Sequence, residues 1–178
     1  RLDTGTSGLI LLAKNAAAEQ FLTAAIKARR IEKRYLCVTF GRPQPPAALL
    51  HDYLVKDAAR GVVRIVPSPA GGAKEVITGY ETLAVSGRLA LLEVELVTGR
   101  THQIRAHLAH IGCPILGDSK YGNNAANRAL HFKYQALCAW ELRFPAKIEE
   151  ERFAHLAGRT FRSEKPWYCQ QVLDDTLQ

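Results

Sequence analysis

A succession of short apolar runs, each of strand length and each closed by a turn, fills the middle of the chain and leaves little choice of fold. Residues 35–40 stop at Gly41-Arg42-Pro43, residues 49–55 and 62–66 flank a turn at 58–61, and residues 74–83 and 89–97 flank Val85-Ser86-Gly87. Such pairs read as hairpins. Residues 134–144 offer a further strand after the breaks at Pro114, Gly117 and Gly122. Near the amino end, Leu9-Ile10-Leu11-Leu12-Ala13 is continuously apolar, the pattern expected of a strand covered on both faces. Only two segments carry a helical period. Asn15 is placed to cap residues 16–30, which set Phe21, Leu22, Ala25 and Ile26 on one side and end in a basic turn. Residues 101–111 space Ile104, Leu108 and Ile111 along one face, with His102 and Arg105 on another about 100° away. The expected architecture is α+β, a mixed, largely antiparallel sheet with flanking helices, and one domain over residues 1–178. Because the chain opens at Arg1 and not at Met, we expect its amino-terminal portion to be missing.

Charge narrows the partners. Lys and Arg number 24 against 17 Asp and Glu, a formal net charge of +7, and a positive field of that size favours polyanions, nucleic acid first and an anionic membrane second. The longest apolar runs fall far short of the roughly 18 residues that a membrane span requires, and the first residues lack the apolar core of a signal peptide. Cys37, Cys113, Cys138 and Cys169 form no C-x-x-C pair, which removes zinc ribbons and thioredoxin-type motifs and suits reduced cytosolic thiols.

Three clusters could carry chemistry. Asp3 lies in the glycine- and hydroxyl-rich string R-L-D-T-G-T-S-G, where it either caps a turn or acts alone as nucleophile or base. Arg100, His102, Gln103, Arg105 and His107 crowd the start of the second helix, where backbone amides and guanidinium forks suit phosphate, although a solvated basic helix would also look like this. His102 and His107 are five residues apart, not four, and no acidic residue lies between them, so a zincin-type metal site is not expected. Tyr35 follows Lys33 and Arg34; a strand tyrosine usually packs, but beside two cations it could offer its ring to a base.

Taken in order, R-L-D-x-x-T-S-G-L-x-x-x-A-K at residues 1–14, K-R-Y at 33–35 and T-G-R-T-H-Q-I-R-A-H-L-A-H-I-G-C-P-I-L-G-D-S-K-Y-G at 98–122 resemble the RNA pseudouridine synthases of the RluA type. The likeness continues through Q-A-L-C-A-W-E-L-R-F-P at 135–145 to G-R-T-F-R-S-E-K-P-W at 158–167. The resemblance implies isomerisation of uridine to pseudouridine in structured RNA, with no metal and no cofactor. Asp3 matches the family's catalytic aspartate, which attacks C1′ of the ribose or C6 of the ring, or takes the 2′ proton. Arg105 matches its basic partner. Tyr35 matches the tyrosine whose ring stacks on uracil and whose hydroxyl can help remove the C5 proton. Leu137 is placed as an apolar wall, and Arg1, Arg100, His102, Gln103 and His107 as RNA contacts around the extruded nucleotide. Ribosomal RNA is the favoured substrate and transfer RNA the other; the expected protein is a cytoplasmic monomer. Two departures stand out: Leu137-Cys138-Ala139 replaces a common L-H-A, and no histidine precedes R-L-D. The competing expectations are a non-catalytic RNA-binding or RNA-folding chaperone module, and an aspartate-nucleophile phosphohydrolase, which would want further carboxylates for Mg²⁺.

Overall fold

The computed structural model describes residues 1–177. Its elements in chain order are β1 (Ser7–Gly8), α1 (Ala16–Lys27), β2 (Glu32–Phe40), β3 (Ala47–Asp57), β4 (Val62–Val66), β5 (Lys74–Ser86), β6 (Leu89–Leu96), α2 (Gln103–His110), α3 (Asn124–Ala129), β7 (Leu137–Arg143), β8 (Thr160–Arg162) and α4 (Trp167–Leu173), with short 3₁₀ turns at Ala70–Gly72 and Glu151–Leu156. The strands make one sheet in the order β1-β7-β2-β6-β5-β3-β4, with β8 also on β7. All pairings are antiparallel except the parallel contact of β1 with β7. Both expected hairpins form, and the sheet is mixed and largely antiparallel, as the strand-length runs imply.

Alternation along the strands gives the sheet two differently covered faces. On one, Cys37, Leu92, Val94 and Tyr80 meet Ile104 and Leu108 of α2. On the other, Leu36, Val38, Leu89 and Leu91 meet Tyr168, Cys169 and Val172 of α4. A third cluster joins Phe21 and Ala25 of α1 to Ile31, Leu142 and Phe144. The Asn15 side chain caps α1 by accepting from the Ala18 amide at 2.9 Å. The helix stops three residues before the expected end, because Arg29 turns left-handed at φ 58°.

Two expectations are corrected. Residues 9–13 do not form a strand buried on both faces. Only Ser7 and Gly8 pair, opposite Cys138 and Ala139, while Ile10 is 55% and Leu12 79% exposed. The β7 edge that a longer β1 would need is already paired, at Glu141–Arg143, with β8. The segment therefore runs on without a strand partner, with Leu9 and Leu11 packed on the α1 cluster and Ile10 and Leu12 in solvent. His102, expected on a helical face with Arg105, stands before the helix in the left-handed conformation, φ 53°, so it does not share that face.

Candidate active site

Asp3 is held by a loop whose path is fixed from β7. Thr6 N–H closes a turn onto the Asp3 carbonyl at 2.9 Å. The Gln135 amide donates to the Thr4 carbonyl at 2.7 Å and to Thr6 Oγ1 at 3.1 Å. At Gly8, φ is 105° and a Cβ would collide with the backbone of Ala139, so only glycine lets the loop lie this close to the strand. The sequence motif includes Gln135, but its role as the loop's anchor appears only once β7 lies alongside β1.

Arg105 reaches the same place from α2. Its Nε and Nη2 hold Asp118 at 2.6 and 3.0 Å, and its remaining Nη1 donates to Asp3 Oδ2 at 3.3 Å. Asp118, the main partner of Arg105, was not singled out from the sequence. It is fully buried, and its Oδ1 also accepts the amides of Lys120 at 2.8 Å and Tyr121 at 3.0 Å. Burial alone would raise its pKa, but the Arg105 hydrogen bonds and charge and these two amides outweigh it and hold the carboxyl below its ordinary value. The same balance acts on the guanidinium: burial works against its charge, and Asp118 first, then Asp3, raise its pKa above the usual value. Asp3, whose side chain is 22% exposed, makes one long hydrogen bond through Oδ2, and its Oδ1 accepts none among the described residues.

Asp3 and Arg105 line a cleft of about 180 Å³. Tyr35, on the α2 face of β2, forms one wall; Leu96, Ile104 and Leu137 supply apolar surface; Arg1, Lys33, Arg100 and His102 surround it. Burial first, then the charge of Asp3, push the Tyr35 phenol up to about 12, so at neutral pH it is protonated. Lys33 is a second addition to the expected set: its pKa is lowered by burial and by the charge of Arg29. The Tyr121 hydroxyl oxygen accepts from the Val63 amide at 2.8 Å and lies within hydrogen-bond distance, 2.9 Å, of His102 Nδ1. Burial, then Arg105, lower the His102 pKa, which keeps the ring neutral.

Eight of the nine expected site residues thus meet at one cleft, and His107 does not. His107 is fully buried, with its ring nitrogens 2.9 Å from Thr78 Oγ1 and 3.0 Å from Asp52 Oδ2, and it cannot touch RNA in this arrangement. Gln103 lines the cleft floor, but both ends of its amide are engaged internally by Thr98, Arg100, Ile77 and Thr78. The sequence pattern marked both as polar residues near a helix start; which way each faces is set by the rotation of α2 on the sheet.

The family model described as RNA pseudouridylate synthase matches residues 1–110. The ribosomal large subunit pseudouridine synthase C of Rickettsia typhi is 40% identical over 124 residues, covering 69% of this chain and 41% of that protein. An uncharacterized RNA pseudouridine synthase of Mycoplasma pneumoniae is 35% identical over 179 residues, covering 97% of this chain and 54% of that protein. This chain thus spans about half, or less, of the length of these relatives. Among solved structures, human RNA pseudouridylate synthase domain containing 4 superposes with a TM-score of 0.77 at 25% identity, covering 99% of this chain and 74% of that one. Human RNA pseudouridylate synthase domain containing 1 does so with a TM-score of 0.78 at 24% identity, over 94% and 68%, which speaks to the fold alone. A carboxylate, a guanidinium and a phenol around one basic cleft, in a chain so matched, place it in the RNA pseudouridylate synthase family, of the RluA type.

Proposed function

We propose that this chain isomerises uridine to pseudouridine in structured RNA, with Asp3 as the reacting group, Arg105 as its counter-charge and Tyr35 as the platform for the base. The observation that carries the reading is the single 3.3 Å contact between Arg105 Nη1 and Asp3 Oδ2 at the edge of a cleft whose other charged groups are cations. In the net reaction the bond from C1′ to N1 breaks, C1′ bonds to C5, the C5 proton leaves and N1 gains one. Asp3 has an uncommitted oxygen facing that chemistry, and Arg105 stabilises its charge without engaging both oxygens. With its phenol pushed up to about 12, Tyr35 is protonated at rest; it contributes a ring face to the base and an O–H group beside the reacting carbons.

Extrusion of the target uridine costs a few kcal/mol, and Arg1, Lys33, Arg100 and His102 are placed to offset this through phosphate contacts. Ribosomal RNA is the preferred substrate, on the names that relatives such as the Rickettsia protein carry. Asp3→Asn should abolish tritium release from RNA containing 5-tritiated uridine while RNA affinity stays within about tenfold, because one non-phosphate contact changes. Retained turnover in that variant would refute the role of Asp3. Absence of turnover in the unmodified protein on every RNA offered would favour a non-catalytic RNA-binding module.

A further inference from the structure

Beside the cleft runs a line of polar side chains, buried except at its Asp52 end, that the proposed reaction does not use. It starts at Asp52 on β3 and ends at the loop between β6 and α2 that carries Arg100 and His102. His107 Nε2 lies 3.0 Å from Asp52 Oδ2, and its Nδ1 lies 2.9 Å from Thr78 Oγ1. Thr78 Oγ1 accepts from Gln103 Nε2 at 3.0 Å, which also donates to the Ile77 carbonyl at 3.0 Å. Gln103 Oε1 accepts from Thr98 Oγ1 at 2.8 Å and from the Arg100 amide at 3.0 Å. Thr98 Oγ1 in turn accepts from the Ile77 amide at 2.9 Å.

Backbone groups fix the directions at the Gln103 end of this line and the Asp52 carboxylate those at the other. The Arg100 N–H can only donate and the Ile77 carbonyl can only accept, so the Gln103 amide has one orientation. Thr78 then receives a proton from Gln103 and has its own to give. A carboxylate at Asp52 only accepts, so His107 carries its proton on Nε2 and offers a lone pair at Nδ1 to Thr78. Burial, chiefly, lowers the His107 pKa against the pull of Asp52, in keeping with a neutral ring. The order Asp-His-Thr has the connectivity of a hydrolytic triad, but Thr78 is fully buried and its oxygen is already bonded, so no substrate can reach it.

We propose that Asp52 and His107 are positioning residues for the substrate loop: through Thr78 and Gln103 they lock the Arg100 backbone, and with it the stretch that presents Arg100 and His102 to RNA. The line crosses from one end of the sheet to the cleft, so a change at Asp52, a residue outside the cleft lining, is felt at the RNA-binding rim. Only the kinetic arm of the test rests on the isomerase reading.

The test compares Thr78→Val, which keeps shape and removes the hydroxyl, with Asp52→Ala and Asp52→Asn in the full-length protein. Amide exchange at Arg100 should quicken by about tenfold in Thr78→Val and in Asp52→Ala, the scale of one hydrogen bond. Asp52→Asn, whose side-chain oxygen still accepts from His107, should restore it. In the same variants KM for RNA should rise more than kcat falls, at temperatures well below unfolding, and ¹⁵N shifts should show His107 Nδ1 unprotonated in the unmodified protein. If Thr78→Val does not fold, the partly exposed Asp52 pair decides the matter. Unchanged Arg100 exchange and KM beside a merely lowered melting temperature would overturn the proposal, as would a proton on Nδ1. A protein that isomerises no RNA would defeat the functional reading and leave the exchange result standing.

Discussion

The turn at residues 117–122 and the loop at residues 1–8 each bring an aspartate to Arg105, and they treat it in opposite ways. Asp118 is sealed from solvent, takes two of the three donating nitrogens of the fork and accepts two backbone amides on Oδ1. The Asn127 side chain ties the same turn down, accepting from Gly117 N–H at 2.7 Å and donating to the Asp118 carbonyl at 3.1 Å. Asp3 takes the one nitrogen left over, at greater length, and keeps an oxygen unengaged. A carboxylate sealed from solvent and held by four hydrogen bonds can fix a cation but cannot meet a substrate; one that is partly exposed and keeps an oxygen free can do both. Asp118 therefore makes Arg105 a charge that need not reorganise when the charge on Asp3 changes, the condition under which electrostatic stabilisation is strongest.

This division can be broken first at Asp118. Asp118→Ala leaves the guanidinium buried without its main partner and should cost about 3–5 kcal/mol in urea unfolding, whereas Asp3→Asn should shift stability by less than about 1 kcal/mol. Because the folded pKa of Asp118 is depressed, its contribution is present above the unfolded value of about 3.9 and is lost as pH falls through the folded value. The acid-unfolding limb of the unmodified protein should flatten in Asp118→Ala, and an unaltered limb would mean that the pair does not hold the turn.

Arg105→Lys keeps the charge and loses the fork, so one ammonium cannot serve both carboxylates. We expect a fall of about 10²-fold in kcat/KM, with a smaller loss of stability than at Asp118; equal losses in both would erase the distinction between anchor and reactant. A milder probe is alkaline pH. With its phenol near 12, Tyr35 should add no inflection to the pH–rate profile around the ordinary value of about 10, and an inflection there would show that the cleft is wetter than its walls imply. The smallest effect belongs to the rim: Arg100→Ala should weaken all RNAs alike and reduce the slope of log affinity against log salt by about one.

Strands and hairpins were legible because alternation and turn residues are local. The same locality explains the failures. Nothing in the apolar run at residues 9–13 reveals that β8, some 150 residues later, holds the β7 edge, and no pattern foretells that His102 adopts a left-handed backbone. Asp3, Tyr35 and Arg105 were legible through the family motif and not through spacing. Asp118 stood inside the same motif, but an aspartate thirteen residues from its arginine becomes its partner only when the chain folds back through the Ile115–Gly117 turn. His107 and Gln103 were legible as polar residues of the helix start; their burial was not, since it depends on which side of α2 meets the sheet.

The loop bearing Asp3 docks on a strand some 130 residues downstream, where Ser7 Oγ meets the Leu137 carbonyl. On a translating ribosome Asp3 emerges among the first of these residues, yet its loop has no place to bind until β7 has cleared the exit tunnel. The cleft is consequently assembled only after most of these residues have been made, by a contact of high sequence separation, the kind that forms slowly.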